Sequence, residues 1–454
     1  MSTEEEAMQK DYVLDANILL RDPDSMFGFA DNRVHITYAT VMELSSKKPV
    51  KGDHGHNAKE ALDNIYKLLA QSTDPHSIPI NGGTGALCLH PPGMTARAAK
   101  TASYDETLIH EIRELAILEE TDGMVLVTNK PALHVIAFLN GLKAESYRNE
   151  QTFYDKSYKG WQDITVPSDV IDLLYSQHSV EADIVKELAS DYNDTSKMFQ
   201  YENEYYRLSD GRKESVAIFQ SGILKHIDRY KNVFGVKPRN AKQAMLFHAL
   251  AAPASDIPLV IIRGPAGTGK TFCALAAGLE ANETGDYRNL MISRNHVLTE
   301  EDFGALPGDL GEKMRPLLGP FYDNLEDLLT KKEGSWQSAK QKMLELFENG
   351  EVEECALSYI RGRSIANRYF ILDEAQNAGP RQMRNIITRA GEDTKIVICG
   401  DISQIDADDL DEYTNGLVFA AESMKGSPTC AQIVFDKEDC VRSRLASEAL
   451  LRMK

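Results

Sequence analysis

Residues 259–274 read L-V-I-I-R-G-P-A-G-T-G-K-T-F-C-A, and this stretch decides the fold of the second half of the chain. Four apolar residues lead through Arg263 into a glycine-rich turn, which opens directly onto a helix-like segment. In this strand, loop and helix order, successive backbone N–H groups wrap a phosphate chain at a helix N-terminus. Glycines recur because a Cβ atom would block the approach of the phosphates. The sequence therefore predicts a P-loop that binds ATP.

The same pattern predicts a role for the residues of the loop. Lys270 is predicted to contact the β- and γ-phosphates, and the Thr271 hydroxyl to complete the shell of a Mg²⁺ ion. Upstream, Gln243 on a predicted helix is expected to read adenine through its two-sided amide. The predicted nucleotide-binding residues are Gln243, Gly264, Pro265, Ala266, Gly267, Thr268, Gly269, Lys270 and Thr271.

Two later segments supply polar residues at the ends of apolar strands. Residues 369–376 read Y-F-I-L-D-E-A-Q, in which Asp373 is predicted to hold magnesium through water and Glu374 to polarise the attacking water. The strand 395–399 ends on a polar turn, and we expect Gln404 there to sense the γ-phosphate. Arg442 is predicted to stabilise transferred charge, in cis or across a subunit boundary; an ordinary salt bridge is the alternative. The predicted catalytic residues are thus Lys270, Glu374, Gln404 and Arg442.

The N-terminal part carries acids at the ends of strands and on helices. Residues 11–20 read D-Y-V-L-D-A-N-I-L-L, a short strand that ends on Asp15. Open α/β sheets keep their sites at the carboxyl ends of strands, and the alternative role of Asp15 is to cap the following helix. Glu43 lies early on a predicted helix, and Asp105 lies at the start of another. The alternation of strand and helix predicts a compact parallel sheet.

Four segments together resemble a PIN domain, a fold associated with magnesium- or manganese-dependent ribonucleases: V-L-D-A-N-I-L-L, the V-M-E-L helix, the helix that Asp105 starts, and V-L-V-T-N-K-P-A-L. The resemblance implies that Asp15, Glu43 and Asp105 hold a divalent metal that activates water. The chain departs from the family at Lys130, where family members commonly carry an acid. A lysine there would weaken metal binding or contact phosphate. A nuclease, an RNA-binding PIN fold and a purely structural one therefore stay open as alternatives.

Further motifs in residues 235–452 resemble the PhoH family of P-loop ATPases: G-A-L-P-G-D, E-K-M, D-N-L-E, R-G-R-S and Q-I-D. A PIN domain followed by a PhoH-like domain matches a known fusion, which is associated with RNA unwinding and cleavage. The resemblance implies a homo-oligomer, a hexameric ring. Two departures are Arg294-Asn295, where the family usually has Arg-Pro, and Val441, which replaces an acid.

The predicted fold class is α/β, in three parts. Residues 1–150 form a PIN-like parallel sheet with helices, and residues 231–454 form a RecA-like P-loop NTPase domain. Between them, 151–230 is predicted as a small mixed connector, with strand-like pieces at 163–166 and 204–208. Its aromatic residues either pack or stack bases.

Composition limits the partners and the compartment. The formal net charge of −19 excludes a wholesale basic coat for nucleic acid, so RNA must meet a local patch or a pore. Arg361 and Arg363 are predicted to contact RNA phosphate, and DNA is not excluded because phosphate contacts carry no sugar information. Six cysteines without a C-x-x-C pair, and no apolar run near eighteen residues, predict a cytoplasmic protein with no membrane partner.

Together these patterns predict an ATP-hydrolysing, helicase-like RNA-remodelling enzyme with a PIN-type metal-dependent ribonuclease domain. Its cofactors would be ATP and Mg²⁺, with Mg²⁺ or Mn²⁺ at the PIN site. The alternatives are an ATP-gated RNA-binding hexameric ring with an inactive PIN domain, and a nucleotide-dependent interaction switch.

Overall fold

Contacts within the chain divide it into two units, Met1–Gln151 (unit 1) and Thr152–Lys454 (unit 2). The computed structural model describes residues 9–49, 53–72, 74–92, 103–119, 123–147, 155–295, 318–360, 364–407 and 410–440, together with Glu448 and Arg452. No helix in these ranges is long and apolar enough to cross a membrane.

Unit 1 is built on a six-stranded sheet in the order β3-β4-β2-β1-β5-β6. Its strands are β1 (Asp11–Leu14), β2 (Arg33–Ile36), β3 (Ile78–Ile80), β4 (Gly85–Leu89), β5 (Met124–Val127) and β6 (Lys143–Glu145). Its helices are α1 (Ala16–Arg21), α2 (Tyr38–Lys47), α3 (Asp53–Gln71), α4 (Tyr104–Leu118) and α5 (Pro131–Leu139). Only the β3–β4 pair is antiparallel among the described strands, so the predicted parallel sheet is confirmed.

The chain order places a site at the centre of this sheet. From β1 the chain moves to one side to form β2, whereas β5 pairs with the other edge of β1. Such a reversal of strand order opens a crevice at the carboxyl ends of the strands. Asp15 directly follows β1, and Thr128 directly follows β5, so both residues reach this crevice.

Unit 2 begins with a five-stranded sheet in the order β7-β9-β10-β11-β8. The strands are β7 (Trp161–Thr165), β8 (Ser179–Glu181), β9 (Tyr205–Ser209), β10 (Glu214–Gln220) and β11 (Ile223–His226), accompanied by α6 (Ser168–Gln177) and α7 (Ala182–Leu188). The β7–β9 pair is parallel and the other pairs are antiparallel, which gives the mixed sheet that the sequence predicts.

The second sheet of unit 2 is entirely parallel, in the order β14-β13-β15-β16-β12-β17. Its strands are β12 (Leu259–Arg263), β13 (Leu290–Arg294), β14 (Val352–Glu354), β15 (Tyr369–Asp373), β16 (Lys395–Gly400) and β17 (Cys430–Val434). The helices are α8 (Ala241–Ala251), α9 (Lys270–Glu283), α10 (Gly319–Glu333), α11 (Trp336–Glu348), α12 (Leu357–Ile360), α13 (Pro380–Ile387) and α14 (Gly416–Ser423). Strand β16 lies between the P-loop strand β12 and the acid-bearing strand β15, and all three end at the same edge.

The two sheets of unit 2 share a hydrophobic core. Tyr205 and Val216 of the smaller sheet belong to the same buried cluster as Val260 of β12. The Trp161 indole Nε1 donates a hydrogen bond to the carbonyl oxygen of Val434, at 2.9 Å. The predicted connector therefore lies in one compact unit with the P-loop sheet, and its boundary at residue 230 stays a prediction.

Candidate functional site

The P-loop between β12 and α9 needs glycine at two positions for backbone reasons. A Cβ atom at Gly264 would lie 2.9 Å from the backbone oxygen of Phe435, closer than real side chains come. Gly269 caps α9 with φ +83°, in the left-handed region that favours glycine. Gly264 lets the loop pack against the backbone of Phe435, and Gly269 lets the chain turn into α9. The N-terminus of α9 therefore faces the loop.

Lys270 and Thr271 form the first turn of α9. The buried Lys270 ammonium donates to the carbonyl oxygens of Gly264 and Pro265, at 2.6 and 3.0 Å. The Thr271 hydroxyl donates to Oδ1 of Asp373, at 3.1 Å, from the end of β15. The structure therefore brings together the P-loop and the acid that the sequence placed a hundred residues further along.

Asp373 and Thr271 have the chemistry that Mg²⁺ requires. Magnesium prefers hard oxygen ligands such as a carboxylate and a hydroxyl beside substrate phosphates. Burial, and then the neighbouring charge of Glu374, raise the pKa of Asp373. A nearby cation stabilises the charged form of such a buried carboxylate. These two residues therefore fit a magnesium ion.

Glu374 is held in an unusual backbone conformation. Its φ of +53° is uncommon for a residue with a side chain, and such conformations cluster at functional sites. The Arg294 guanidinium donates to Oε1 of Glu374 at 2.9 Å, and the Gln376 amide donates to Oε2 at 2.5 Å. Both contacts fix the carboxylate beside the P-loop.

Gln376 connects Glu374 to the end of β16. The fully buried Gln376 amide donates to the backbone oxygen of Gln404 at 2.9 Å and accepts from the backbone N–H of Asp401 at 3.0 Å. Asp401 in turn accepts a hydrogen bond from the Ala266 N–H of the P-loop, at 3.1 Å. A single glutamine thus joins the ends of β15 and β16, a role that the sequence motif did not indicate.

These groups open into one cavity of about 250 Å³ at the carboxyl ends of the parallel strands. Its lining includes Ala266, Gly267, Gly269, Lys270, Thr271, Arg294, Asp373, Glu374, Asp401 and Gln404. Gln243 lies behind the loop, where its Nε2 would be 3.7 Å from a Cβ atom on Gly269, and its Oε1 accepts from the Arg239 N–H at 2.9 Å. Its adenine-reading role stays a prediction.

Three predicted arginines, Arg442, Arg361 and Arg363, lie outside the described residues. Their roles in charge stabilisation and RNA contact stay predictions. Sequence reasoning missed the nucleotide-site roles of Arg294, Gln376 and Asp401. One signal for these roles was present in the sequence. Each residue lies at or just after the end of a strand, beside a motif that was already recognised.

In unit 1, Asp15 lies fully buried at the crevice between β1 and β5. It accepts hydrogen bonds from the Tyr104 hydroxyl and the Thr128 hydroxyl, both at 2.7 Å, and from the Asn17 N–H at 3.3 Å. Burial raises the pKa of Asp15, whereas the charge of Lys130 and these donors oppose the rise. Asp15 therefore caps α1, and its role in a metal site stays a prediction.

Lys130 supplies a cation to this site. Its ammonium lies 3.3 Å from Oδ1 of Asp105 and 5.0 Å from the centre of the Tyr104 ring. Glu43 pairs instead with Lys47, at 3.4 Å, on its own helix. Among the residues described, no three His, Cys, Asp or Glu side chains are grouped to hold a metal ion. The role of Asp15, Glu43 and Asp105 as metal ligands therefore stays a prediction.

The geometry of unit 2 defines a class of protein: a P-loop nucleoside triphosphatase fold, preceded in the chain by a PIN-like unit. A family model described as PhoH-like protein matches residues 235–453, and a PIN domain model matches residues 12–148.

Two relatives match this chain over nearly its whole length. Protein PhoH2 of Bacillus subtilis is 33% identical over 458 residues, which covers 97% of this chain and 99% of that protein. Protein PhoH2 of Thermobispora bispora is 27% identical over 98% of this chain and 97% of its own length. Protein PhoH of Escherichia coli K12 is 35% identical, but over only 52% of this chain. The chain belongs to the PhoH2 family, in which a PIN domain precedes a PhoH-like domain.

Proposed function

We propose that this protein hydrolyses ATP at the P-loop site and uses the reaction to remodel RNA, as a helicase-like enzyme. The observation that carries the proposal is the convergence of Lys270, Thr271, Asp373 and Glu374 on one cavity. A phosphate-binding loop, a magnesium-type ligand pair and a carboxylate beside them are the parts that phosphoryl transfer to water requires.

In this proposal each group has one task. The N-terminus of α9 and Lys270 bind the phosphate chain of ATP. Thr271 and Asp373 would hold Mg²⁺, which when bound neutralises charge on the phosphates. Glu374 orients and polarises a water molecule against the γ-phosphorus, so that the bond to the bridging oxygen breaks and ADP and phosphate leave. Gln404, whose backbone oxygen accepts a hydrogen bond from Gln376, would respond to the γ-phosphate.

RNA is the proposed partner because the chain joins its P-loop site to a PIN domain. With a net charge of −19, the chain would have to bind the strand through local groups. We include a homo-hexameric ring and a cytoplasmic location in the proposal. DNA would be distinguished from RNA by competition in the same binding assay.

For unit 1 we propose RNA binding rather than cleavage. The Lys130 ammonium lies beside Asp105, where a positive charge disfavours a divalent cation and favours a phosphate. An active ribonuclease is the second candidate, favoured by the buried Asp15 at the crevice of the sheet.

One experiment tests both units. Labelled single-stranded and duplex RNA is incubated with Mg²⁺ or Mn²⁺, with and without ATP, using wild type, Asp15→Asn and Lys270→Ala. The proposal predicts ATP-dependent unwinding that is lost in Lys270→Ala and retained in Asp15→Asn, without cleavage. Cleavage that is lost only in Asp15→Asn would identify a nuclease, and the absence of both RNA binding and unwinding would reject the remodelling function.

A further inference from the structure

Arg294 lies where its side chain can contact both Glu374 and a nucleotide in the P-loop cavity. It is the last residue of β13, and it pairs in register with Asp373 of β15. This register places its guanidinium beside the next residue, Glu374, with which it forms a 2.9 Å ion pair. Both side chains also line the cavity of the P-loop. The arginine is therefore a cavity residue contributed by the same chain as Lys270.

The ion pair is accessible enough to exchange partners. The side chains of Arg294 and Glu374 retain 20% and 24% of their surface exposed. Separation of such a pair leaves neither charge sealed from solvent, and partly exposed pairs are weak compared with a strong competing anion. A terminal phosphate is such an anion, because it carries more charge than a carboxylate and accepts the paired donors of a guanidinium.

The pairing also affects the carboxylate. An arginine on Oε1 and the Gln376 amide on Oε2 together draw electron density from Glu374. A carboxylate that is engaged in this way accepts the proton-bearing side of a water molecule less well than one whose cation has left. Departure of Arg294 would therefore make the Glu374 carboxylate a better acceptor for the attacking water. The hydrogen bond from Gln376 would still hold Glu374 in place.

We propose that Arg294 is a γ-phosphate-sensing switch: it pairs with Glu374 until ATP binds, and then transfers to the terminal phosphate and releases the carboxylate. ADP has no γ-phosphate, so the ion pair persists with ADP. Arg294 thereby couples the recognition of ATP over ADP to the activation of Glu374. The inference rests on the proposed ATP hydrolysis at this site and assigns an additional charge-stabilising residue in cis.

The test measures the affinities of full-length protein for a non-hydrolysable ATP analogue and for ADP, with Mg²⁺ present, by competition with a fluorescent nucleotide. Arg294→Ala should weaken the analogue by about 10- to 100-fold, the expected cost of a charge-assisted contact, and should change ADP affinity far less. The affinity of Arg294→Lys for the ATP analogue should fall between those of wild type and Arg294→Ala, because lysine keeps the charge but loses the paired donors of the guanidinium. The exposed Arg389→Ala variant serves as the matched control.

A second variant separates this switch from a merely structural role. Glu374→Gln removes the competing carboxylate charge and should tighten the ATP analogue relative to ADP. This gain should vanish in the Arg294→Ala/Glu374→Gln double variant. Equal weakening of both nucleotides in Arg294→Ala, or a gain that survives in the double variant, would overturn the proposal.

Binding is measured without turnover, so the two proposals fail separately. If wild type bound nucleotide with the predicted pattern but released no ADP from ATP, hydrolysis would be rejected and the arginine contact supported.

Discussion

The chain contains two sheet edges that carry buried aspartates, and the neighbouring groups compensate the negative charge to different extents, with Arg294 as the nearby cation of Asp373 and Lys130 as that of Asp15. Asp373 of unit 2 and Asp15 of unit 1 each have a raised pKa, because both are buried. Asp373 receives one hydroxyl, from Thr271, beside a phosphate-binding loop. Asp15 receives two hydroxyls and lies in the field of Lys130. An acid at the end of a strand therefore does not by itself define a metal site, because its neighbours decide whether a cation is still needed.

The largest effect should come from exchanging the two aspartates for asparagine in turn. Asp373→Asn should lower the turnover of Mg²⁺-ATP by roughly 10²–10³-fold, because it removes the negative charge that would hold the magnesium ion beside the phosphates. Asp15→Asn should leave turnover unchanged, since asparagine keeps an oxygen acceptor in a site remote from the P-loop in sequence. Steady-state ADP release checks both variants, and an equal loss in the two would break the comparison.

Gln376 tests whether the P-loop site depends on the hydrogen bonds that join the ends of β15 and β16. Gln376→Ala should lower kcat by roughly 10- to 100-fold, because Glu374 loses one of its two holding contacts. It should also destabilise unit 2 by about 1–3 kcal/mol, because the buried Asp401 N–H loses its acceptor.

Urea unfolding followed by tryptophan fluorescence measures this loss, since Trp161 and Trp336 both lie in unit 2. The exposed Gln341→Ala is the control. Wild-type kcat in Gln376→Ala would show that the link is dispensable.

Lys130→Asp should make the site at Asp15 more like the P-loop site, by replacing a nearby cation with a carboxylate. Replacement of the ammonium by a carboxylate should raise Mn²⁺ affinity by roughly 10- to 100-fold, the usual scale for groups that tune a metal site. The readout is the metal-dependent increase in the thermal stability of unit 1. Lys143→Asp, an exposed lysine of the same sheet, is the control. If wild type already bound Mn²⁺ as tightly as Lys130→Asp, the contrast between the two edges would be wrong.

The motifs of the P-loop site could be predicted from sequence because each is local. The P-loop and the Asp373–Glu374 strand carry their own spacing, and Gln243 lies on a helix, Ala241–Ala251, as predicted. The pairings between motifs could not be predicted. Arg294 and Glu374 are 80 residues apart, and Lys130 and Asp105 are 25 apart, so both contacts depend on how the strands align.

The smaller sheet of unit 2 shows another limit. The sequence indicated parts of β7 and β9 but missed the hairpin of β10 and β11. Adjacent residues Tyr205 and Tyr206 are both fully buried, in different hydrophobic clusters. A sheet that is covered on both faces loses the polar alternation by which strands are recognised.

The smallest expected effect concerns pH and unit 1 alone. His90 and His35 are 2.8 Å apart between ring nitrogens, and His35 also contacts Asp11, at 2.9 Å. Burial, and then the neighbouring His35, lower the pKa of His90 to about 4. In the unfolded chain His90 takes up a proton near pH 6.5, whereas in the folded state it does so only near pH 4. Unit 1 should therefore lose stability as pH falls from about 6.5 towards 4, by about 1–2 kcal/mol.

The part of the circular dichroism transition that is silent in tryptophan fluorescence measures this loss. His90→Gln should flatten the pH dependence, whereas the exposed His110→Gln should not. A pH profile that is identical in His90→Gln and wild type would contradict the assignment.

The most direct test of the account is the initial rate of ADP release at fixed Mg²⁺ as single-stranded RNA is titrated. Wild type should hydrolyse ATP faster as RNA saturates. Lys270→Ala should lower the rate of ADP release by roughly 10²–10³-fold at every RNA concentration, because the loop then lacks the positive charge that contacts the phosphates. The exposed Lys340→Ala should behave as wild type. Turnover that persists in Lys270→Ala, or that is indifferent to RNA, would contradict an RNA-remodelling ATPase powered by this loop.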